Sequence, residues 1–173
     1  MPLFRLLVLA AIGLGLGACA ADRDPPPGQP SFYNSMAKPD VEVDVASAAS
    51  MISGYRQNNG LGAVAADPEL TRMAMAHTKT MVARDKLDHN LGKSFQQRVK
   101  ESGYDATAAV ENISAGYHTL AEAFSGWRES APHRANMLHK GVTRIGIAAV
   151  YSPKSKYKVF WTLILAAPDD KPR

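Results

Sequence analysis

Five histidines and a few carboxylates are the groups through which this 173-residue chain can do acid–base or metal chemistry. Its single cysteine, Cys19, excludes an internal disulfide framework and any zinc site built from cysteines alone, because both need several thiols. His77 recurs with Leu70, Met73, Ala74 and Met81 at helical spacing, which predicts a core or boundary histidine rather than a ligand. His139 precedes Lys140-Gly141, the pattern of a solvated helix end where a cation meets the C-terminal dipole. His118, beside Tyr117, can line a cleft rim, but its spacing demands no role. His89 and His133 differ from these three. They lie in the polar segments Asp88-His89-Asn90 and Pro132-His133-Arg134-Ala135-Asn136, which the apolar pattern does not need, and loops are where function gathers. Glu111 is a lone carboxylate among Ala, Val and Ile, costly to bury without a partner, and a histidine is the obvious one. Spacing alone does not join two distant histidines and a glutamate into one site.

The elements that must position these groups carry their own start signals. Asp44 can cap a helix on which Val45, Ala48, Ala49, Ile52 and Tyr55 recur, and Asn58-Asn59-Gly60 stops it. Asp67-Pro68 pairs an N-cap residue with a proline at the first helical position, opening the helix that carries His77. Ser94 with Gln97 and Thr119 with Glu122 are capping-box patterns. The first opens a short helix ending at Gly103, and the second a helix with Leu120, Ala123, Phe124 and Trp127 on one face. After that the period changes. Ile145, Ile147, Ala149 and Tyr151 alternate as a half-buried strand, and Val159 to Leu165 is a continuous apolar run, a strand covered on both faces. A connection as short as Ser152 to Tyr157 joins only antiparallel neighbours. Helices first and strands last predict an α+β domain whose helices cover both faces of a small antiparallel sheet.

The folded body is expected over residues 40–167, followed by a polar tail at 168–173. Before it, residues 19–39 contain Pro25-Pro26-Pro27-Gly28 and Pro30 without an apolar period, and read as an extended tether. Residues 1–18 have a basic start at Arg5 and an apolar run from Leu6 to Gly17 that is too short to span a bilayer as a mature helix. Leu16-Gly17-Ala18-Cys19 resembles the lipobox of bacterial lipoprotein precursors, in which the cysteine is lipidated and becomes the first mature residue. An ordinary secretory signal cut near Ala18 or Ala20 is the alternative, and both readings export the chain. In a Gram-negative source, Ala20 after the cysteine resembles the sorting pattern for the outer membrane, facing the periplasm. Lys and Arg total 20 against 16 acids, a net +4 too weak and scattered for a nucleic-acid reader.

Taken in order, Asn59-Gly60-Leu61, Asp67-Pro68-Glu69-Leu70, Ala76-His77, Met81, Asp88-His89, Arg98 to Gly103-Tyr104, Glu111-Asn112-Ile113, Trp127, His133-Arg134-Ala135-Asn136-Met137-Leu138, Ile145-Gly146-Ile147 and Trp161-Thr162 resemble a bacterial CAP domain. This is the superfamily of cysteine-rich secretory, antigen and pathogenesis-related proteins, also called SCP-like. The resemblance covers about Ala46 to Ala166 and implies an α-β-α sandwich with a cleft lined by two histidines and up to two acids. By position these are His89, His133 and Glu111, with Glu129 at the second acidic position. Glu129 follows Trp127 by two residues, where animal members place their glutamate three after the tryptophan and many bacterial members have no acid. Val110 and Pro132 replace glycines of the pattern and Leu163 a frequent glutamine, substitutions expected to tighten or dry the cleft.

Two neutral imidazoles can ligate Zn²⁺ while Glu111 orients one ring or holds a metal-bound water. The family resemblance favours a domain that binds a small-molecule, lipid or protein partner in the cell envelope, as a monomer tethered to the membrane by lipidated Cys19. The alternative is a metal-assisted, peptidase-like hydrolase with Glu111 as general base. His-Glu-x-x-His and Gly-x-Ser-x-Gly are both absent from the sequence, and Cys19 is committed elsewhere.

Overall fold

Side-chain caps begin four of the helices where the sequence signals them. In the computed structural model, which describes residues 28–169, Asp44 accepts from the Ser47 N–H at 3.0 Å and opens α1 (Val45–Gln57). The Asp67 carboxylate accepts from the N–H groups of Glu69 and Leu70 at 2.9 and 3.0 Å, with Pro68 opening α2 (Pro68–Arg84). Reciprocal capping boxes start α3 (Phe95–Ser102), at Ser94 and Gln97, and α4 (Leu120–Glu129), at Thr119 and Glu122. Each box satisfies two N–H groups that the first helical turn leaves unpaired. α3 ends as expected at Gly103, whose φ of +73° suits the left-handed C-cap. A further helix, α5 (Ala131–Met137), opens on Pro132 near its first position and carries His133.

The expected hairpin is present as β3 (Arg144–Tyr151) and β4 (Val159–Pro168), paired antiparallel. The sheet is larger than the sequence suggested. β2 (Ala106–Ala115) lies antiparallel on the other side of β4, and the two-residue β1 (Ala65–Ala66) pairs parallel with β3. The order β1-β3-β4-β2 makes the sheet mixed, though its three long strands are antiparallel, and leaves β2 at an edge.

β4 is buried on both faces, as its unbroken apolar run requires. Trp161, Leu163 and Leu165 meet α1 and α4 in one apolar cluster, with Met137 of α5, whereas Ile164 and Ala166 meet Leu70, Met73 and Ala74 of α2 and Phe95 of α3. Trp127 and Trp161 pack edge to face at 6.5 Å between ring centres. On the opposite face, α2 approaches the sheet at Gly146. A Cβ there would lie 2.1 Å from the carbonyl carbon of Leu70, so only glycine permits the contact.

The body begins earlier than Asp40. Ser31–Tyr33 forms a 3-10 turn, Met36 is 5% exposed within the α1/α4 cluster, and its N–H donates to the His118 carbonyl at 2.6 Å. Part of the expected tether therefore packs, because Phe32 and Met36 supply apolar surface that the surrounding prolines obscured. At the other end β4 extends through Pro168, one residue beyond the expected boundary. Cys19, the apolar leader and residues 170–173 lie outside the described residues. Among those described, no helix is long and apolar enough to cross a membrane.

Candidate functional site

Edge strand β2 builds the site by sending neighbouring side chains to opposite faces. Glu111 lies opposite Ile164, on the α2/α3 side, and Asn112 opposite Leu163, on the α5 side. The Glu111 side chain is only 2% exposed, and a buried carboxylate needs strong partners. It has two. Nη2 of Arg98, on α3, donates to both carboxylate oxygens at 2.8 Å and to the His89 carbonyl at 3.1 Å. Nδ1 of His89, in the segment after α2, lies 2.8 Å from Glu111 Oε1. An ionised carboxylate only accepts, so it selects the tautomer with the proton on Nδ1 and leaves Nε2 as the ring's free lone pair. The His89 side chain is 45% exposed, so the buried acid anchors an imidazole that reaches solvent.

On the other side of β2, asparagines tie α5 to the strand. Asn112 Nδ2 donates to the His133 carbonyl at 3.0 Å, while Asn136 Nδ2 donates to the Glu111 carbonyl at 3.0 Å and to Asn112 Oδ1 at 2.9 Å. These bonds bring His133 near enough to His89 for the two rings to interact electrostatically. Burial, and then the neighbouring His89, lower the His133 pKa below its ordinary 6.5, favouring the neutral ring. His89, Phe95, Gln96, Glu111 and Asn136 line an open depression along this edge.

Glu129 is not brought to this cluster. Its side chain is 75% exposed, 4.0 Å from Arg128, and lines a separate groove with Tyr117, His118 and Gly126. His118 thus does lie on a groove rim, but not on that of the depression lined by His89 and Glu111, which His133 does not line either. Of the replaced pattern positions, Val110 sits at the depression, Pro132 helps to start α5, and Leu163 is buried in the apolar core. His77 occupies the core face of α2 as expected, 1% exposed, and among the described residues neither ring nitrogen has a partner at full hydrogen-bond geometry, although the Asp88 backbone lies close to the ring. Burial lowers its pKa. Nearby Glu111 and then the Asp88 backbone oppose that shift, and Arg98 and His89 reinforce it, which places His77 behind the cluster. Arg98 likewise keeps Nε and Nη1 buried without hydrogen-bond partners among the described residues, its guanidinium lying 5.3 Å from the centre of the Phe95 ring.

Arg98, Asn112 and Asn136 entered the sequence comparison only as parts of a family pattern, with no role attached. A signal for Arg98 was available. Phe95 must face the core of its short helix, and a residue three positions on shares that face.

As to metal, the donors suit Zn²⁺ in kind, being imidazoles of which one is braced by a carboxylate. They are few in number. Glu111 is occupied by Arg98, and among the described residues no group of three His, Cys, Asp or Glu side chains is placed to hold an ion. Any ion would rest on His89 and His133 alone.

An α-β-α arrangement with this His/Glu cluster at the sheet edge defines the SCP-like class. The chain belongs to the CAP, or cysteine-rich secretory protein, family, whose model matches residues 49–165. It is 27% identical over 135 residues to the uncharacterized protein YkwD of Bacillus subtilis, covering 76% of this chain and 52% of that one. It therefore spans about half the length of that relative. Among solved structures it resembles an outer surface protein of Borrelia burgdorferi (TM-score 0.65, 16% identity, 75% of this chain and 98% of that one). It also resembles an extracellular SCP-domain protein of Bacillus anthracis (TM-score 0.61, 23% identity, 69% and 39%).

Proposed function

We propose that this is an exported, lipid-anchored CAP domain that binds a small-molecule, lipid or protein ligand in the cell envelope through the depression lined by His89 and Glu111, with His133 on the neighbouring helix α5 interacting with His89. The observation that carries this reading is the fully buried Glu111 carboxylate, clamped by Arg98 and bracing a half-exposed His89. That arrangement presents an imidazole to solvent with its Nε2 lone pair free. Export is supported by the apolar leader ending in Leu16-Gly17-Ala18-Cys19, and by fold neighbours described as extracellular and outer-surface proteins. The hydrolase alternative needs Glu111 to take a proton from water, and its burial and double contact with Arg98 weigh against that role.

The test is native mass spectrometry on protein purified from its own membrane, beside turnover of an unbiased peptide library. A co-purified adduct that His89→Ala and His133→Ala both lose supports binding. Chelator-sensitive turnover abolished by His133→Ala would replace it with the hydrolase. Zn²⁺ titration adds a further check, since protonated imidazole does not ligate metal. Affinity should be weak, with two protein ligands, and weaker at pH 5.5 than at pH 7.5. Cys19→Ser should move the protein out of the detergent phase.

A further inference from the structure

The net charge of this chain is small and most of its cations are scattered, but one long stretch has no acids. From Ser130 to Pro168 there are six lysines and arginines and no aspartate or glutamate, although acids elsewhere nearly balance the cations. Three of the six, Lys154, Lys156 and Lys158, fall on alternate residues at the tip of the β3–β4 hairpin, and all three are exposed. The tip is ordered by its own hydrogen bonds. The Ser152 N–H donates to the Lys158 carbonyl at 2.6 Å, and Lys158 Nζ donates to the Pro153 carbonyl at 2.8 Å. Tyr157 stacks edge-on against buried Phe160 at 5.6 Å, and Lys156 Nζ lies 4.9 Å from the Tyr157 ring. A tip tied to the core in this way presents its three exposed lysines without a large backbone ordering penalty on contact. Asp40 and Glu42 line an adjoining groove with Pro153. Lys38 and Lys79 line the same groove and offset them.

We propose that this hairpin tip is a docking surface for anionic phospholipid headgroups, through which the domain lies against the membrane that anchors it. This rests on the lipid-anchored reading for its biological setting. The segment Lys38 to Glu42 that leads from the N-terminal strap passes beside the tip. The 12 residues from Cys19 to Pro30 span at most about 43 Å when fully extended, so an anchored domain stays within reach of the bilayer. Each lysine at an anionic surface strengthens partitioning about fivefold, and three together about 100-fold. That is weak for a free protein. It is sufficient for one already confined to the surface, where the tether supplies the effective concentration.

The test uses the chain from residue 19 onward carrying Cys19→Ser, so that no lipid is attached and every described residue is kept. It should co-sediment with vesicles containing half phosphatidylglycerol and not with phosphatidylcholine vesicles, and 0.5 M salt should release it. K154Q/K156Q/K158Q should weaken binding about 100-fold. K154Q/K156Q, which preserves the Lys158 bond to Pro153, should weaken it about 25-fold. K86Q/K100Q/R128Q, with the same change in net charge, should bind as the unsubstituted chain does. Equal binding to both kinds of vesicle, or equal loss with the control triple, would overturn the proposal. Retention by an anionic polymer such as polyphosphate without vesicle binding would overturn its assignment to lipid. Detergent partitioning of the Cys19→Ser variant in cells tests the anchor separately, so the two failures are distinguishable.

Discussion

The two faces of β4 are built on different principles. Toward α1 and α4 the strand offers Trp161, Leu163 and Leu165, and the buried cation on that side, Arg56, meets no acid among the described residues. Its guanidinium donates instead to four backbone carbonyls, those of Gly62, Met137, His139 and Val142, at 2.8 to 3.0 Å. Toward α2 and α3 the strand offers Ile164 beside Thr162, whose hydroxyl meets Thr78 at 2.8 Å, and the layer then runs outward into His77, Arg98, Glu111 and His89. The first face uses its polar groups to close loops over an apolar layer and to tie α5 to β2. The second keeps ionisable groups in the core and opens them to solvent at one edge. A buried charge is retained at a cost in stability, so a graded series of this kind points to the edge where it ends as the place of function.

The largest effect should come from the first face. Arg56→Met removes the donors from four carbonyls at once, each costing about 1–3 kcal/mol if left unpaired, so a loss of about 4 kcal/mol or more is expected in urea unfolding. The environment of His89, followed by the NMR shift of its ring, should not change. Arg98→Met should cost less, about 3 kcal/mol, because Glu111 remains as an uncompensated buried charge close to a solvent-open edge. It should also shift the His89 resonance. In the double variant Arg98→Met/Glu111→Gln the two losses should fall short of additive by about 1 kcal/mol or more. Additive losses would mean that the cluster on the second face is not a coupled unit and that the contrast between the faces is only one of composition.

Much of the contrast was legible in the sequence, but not the strand β2 or the clamp by Arg98. Apolar alternation in β3, the unbroken run in β4 and the four caps each have a local cause, so local reading found them. β2 escaped because Ala106-Thr107-Ala108-Ala109 has poor strand propensity and becomes a strand only by pairing with β4. β1 is two residues long and carries no periodic signal. Glu111 was recognisable as an acid in need of a partner, and His89 as one candidate. Arg98 was not linked to it, because it is 13 residues away and the connection runs through tertiary structure. Glu129 was carried over by sequence offset from a tryptophan, and that offset does not specify which groove a residue at the end of α4 will face.

Next in size is Gly146→Ala. Its Cβ would meet the backbone of Leu70 at 2.1 Å and of Thr71 at 2.2 Å, so α2 must move off the sheet rather than a side chain giving way. Overpacking of this kind costs about 1–3 kcal/mol. Since α2 carries His77 and leads to His89, the shift should perturb the second face while the fluorescence of the Trp127–Trp161 pair on the first stays as it was. A change confined to the tryptophans would show that the faces are not independent.

The smallest expected effect is at the start of α1, and it tests whether polar groups on the first face act to tie the chain together. Asp44 accepts from the Ser47 hydroxyl at 2.6 Å, the Ser47 N–H at 3.0 Å and the Ser31 hydroxyl at 2.7 Å, so it caps the helix and pins the N-terminal strap to it. These bonds, those of Ser47 first, lower its pKa from 3.8 to about 2. With the folded value below the unfolded one, the contribution is full above pH 4 and is lost as the pH falls through about 2. Asp44 is exposed and water competes for it, so the size should be that of a modest cap, about 0.5–1 kcal/mol. Urea midpoints for the wild type and Asp44→Ala should therefore differ at pH 6, converge between pH 4 and pH 2, and coincide below that. A difference that persists undiminished at the acid end would mean that the uncharged side chain holds the strap, and that the carboxylate charge contributes nothing to this face.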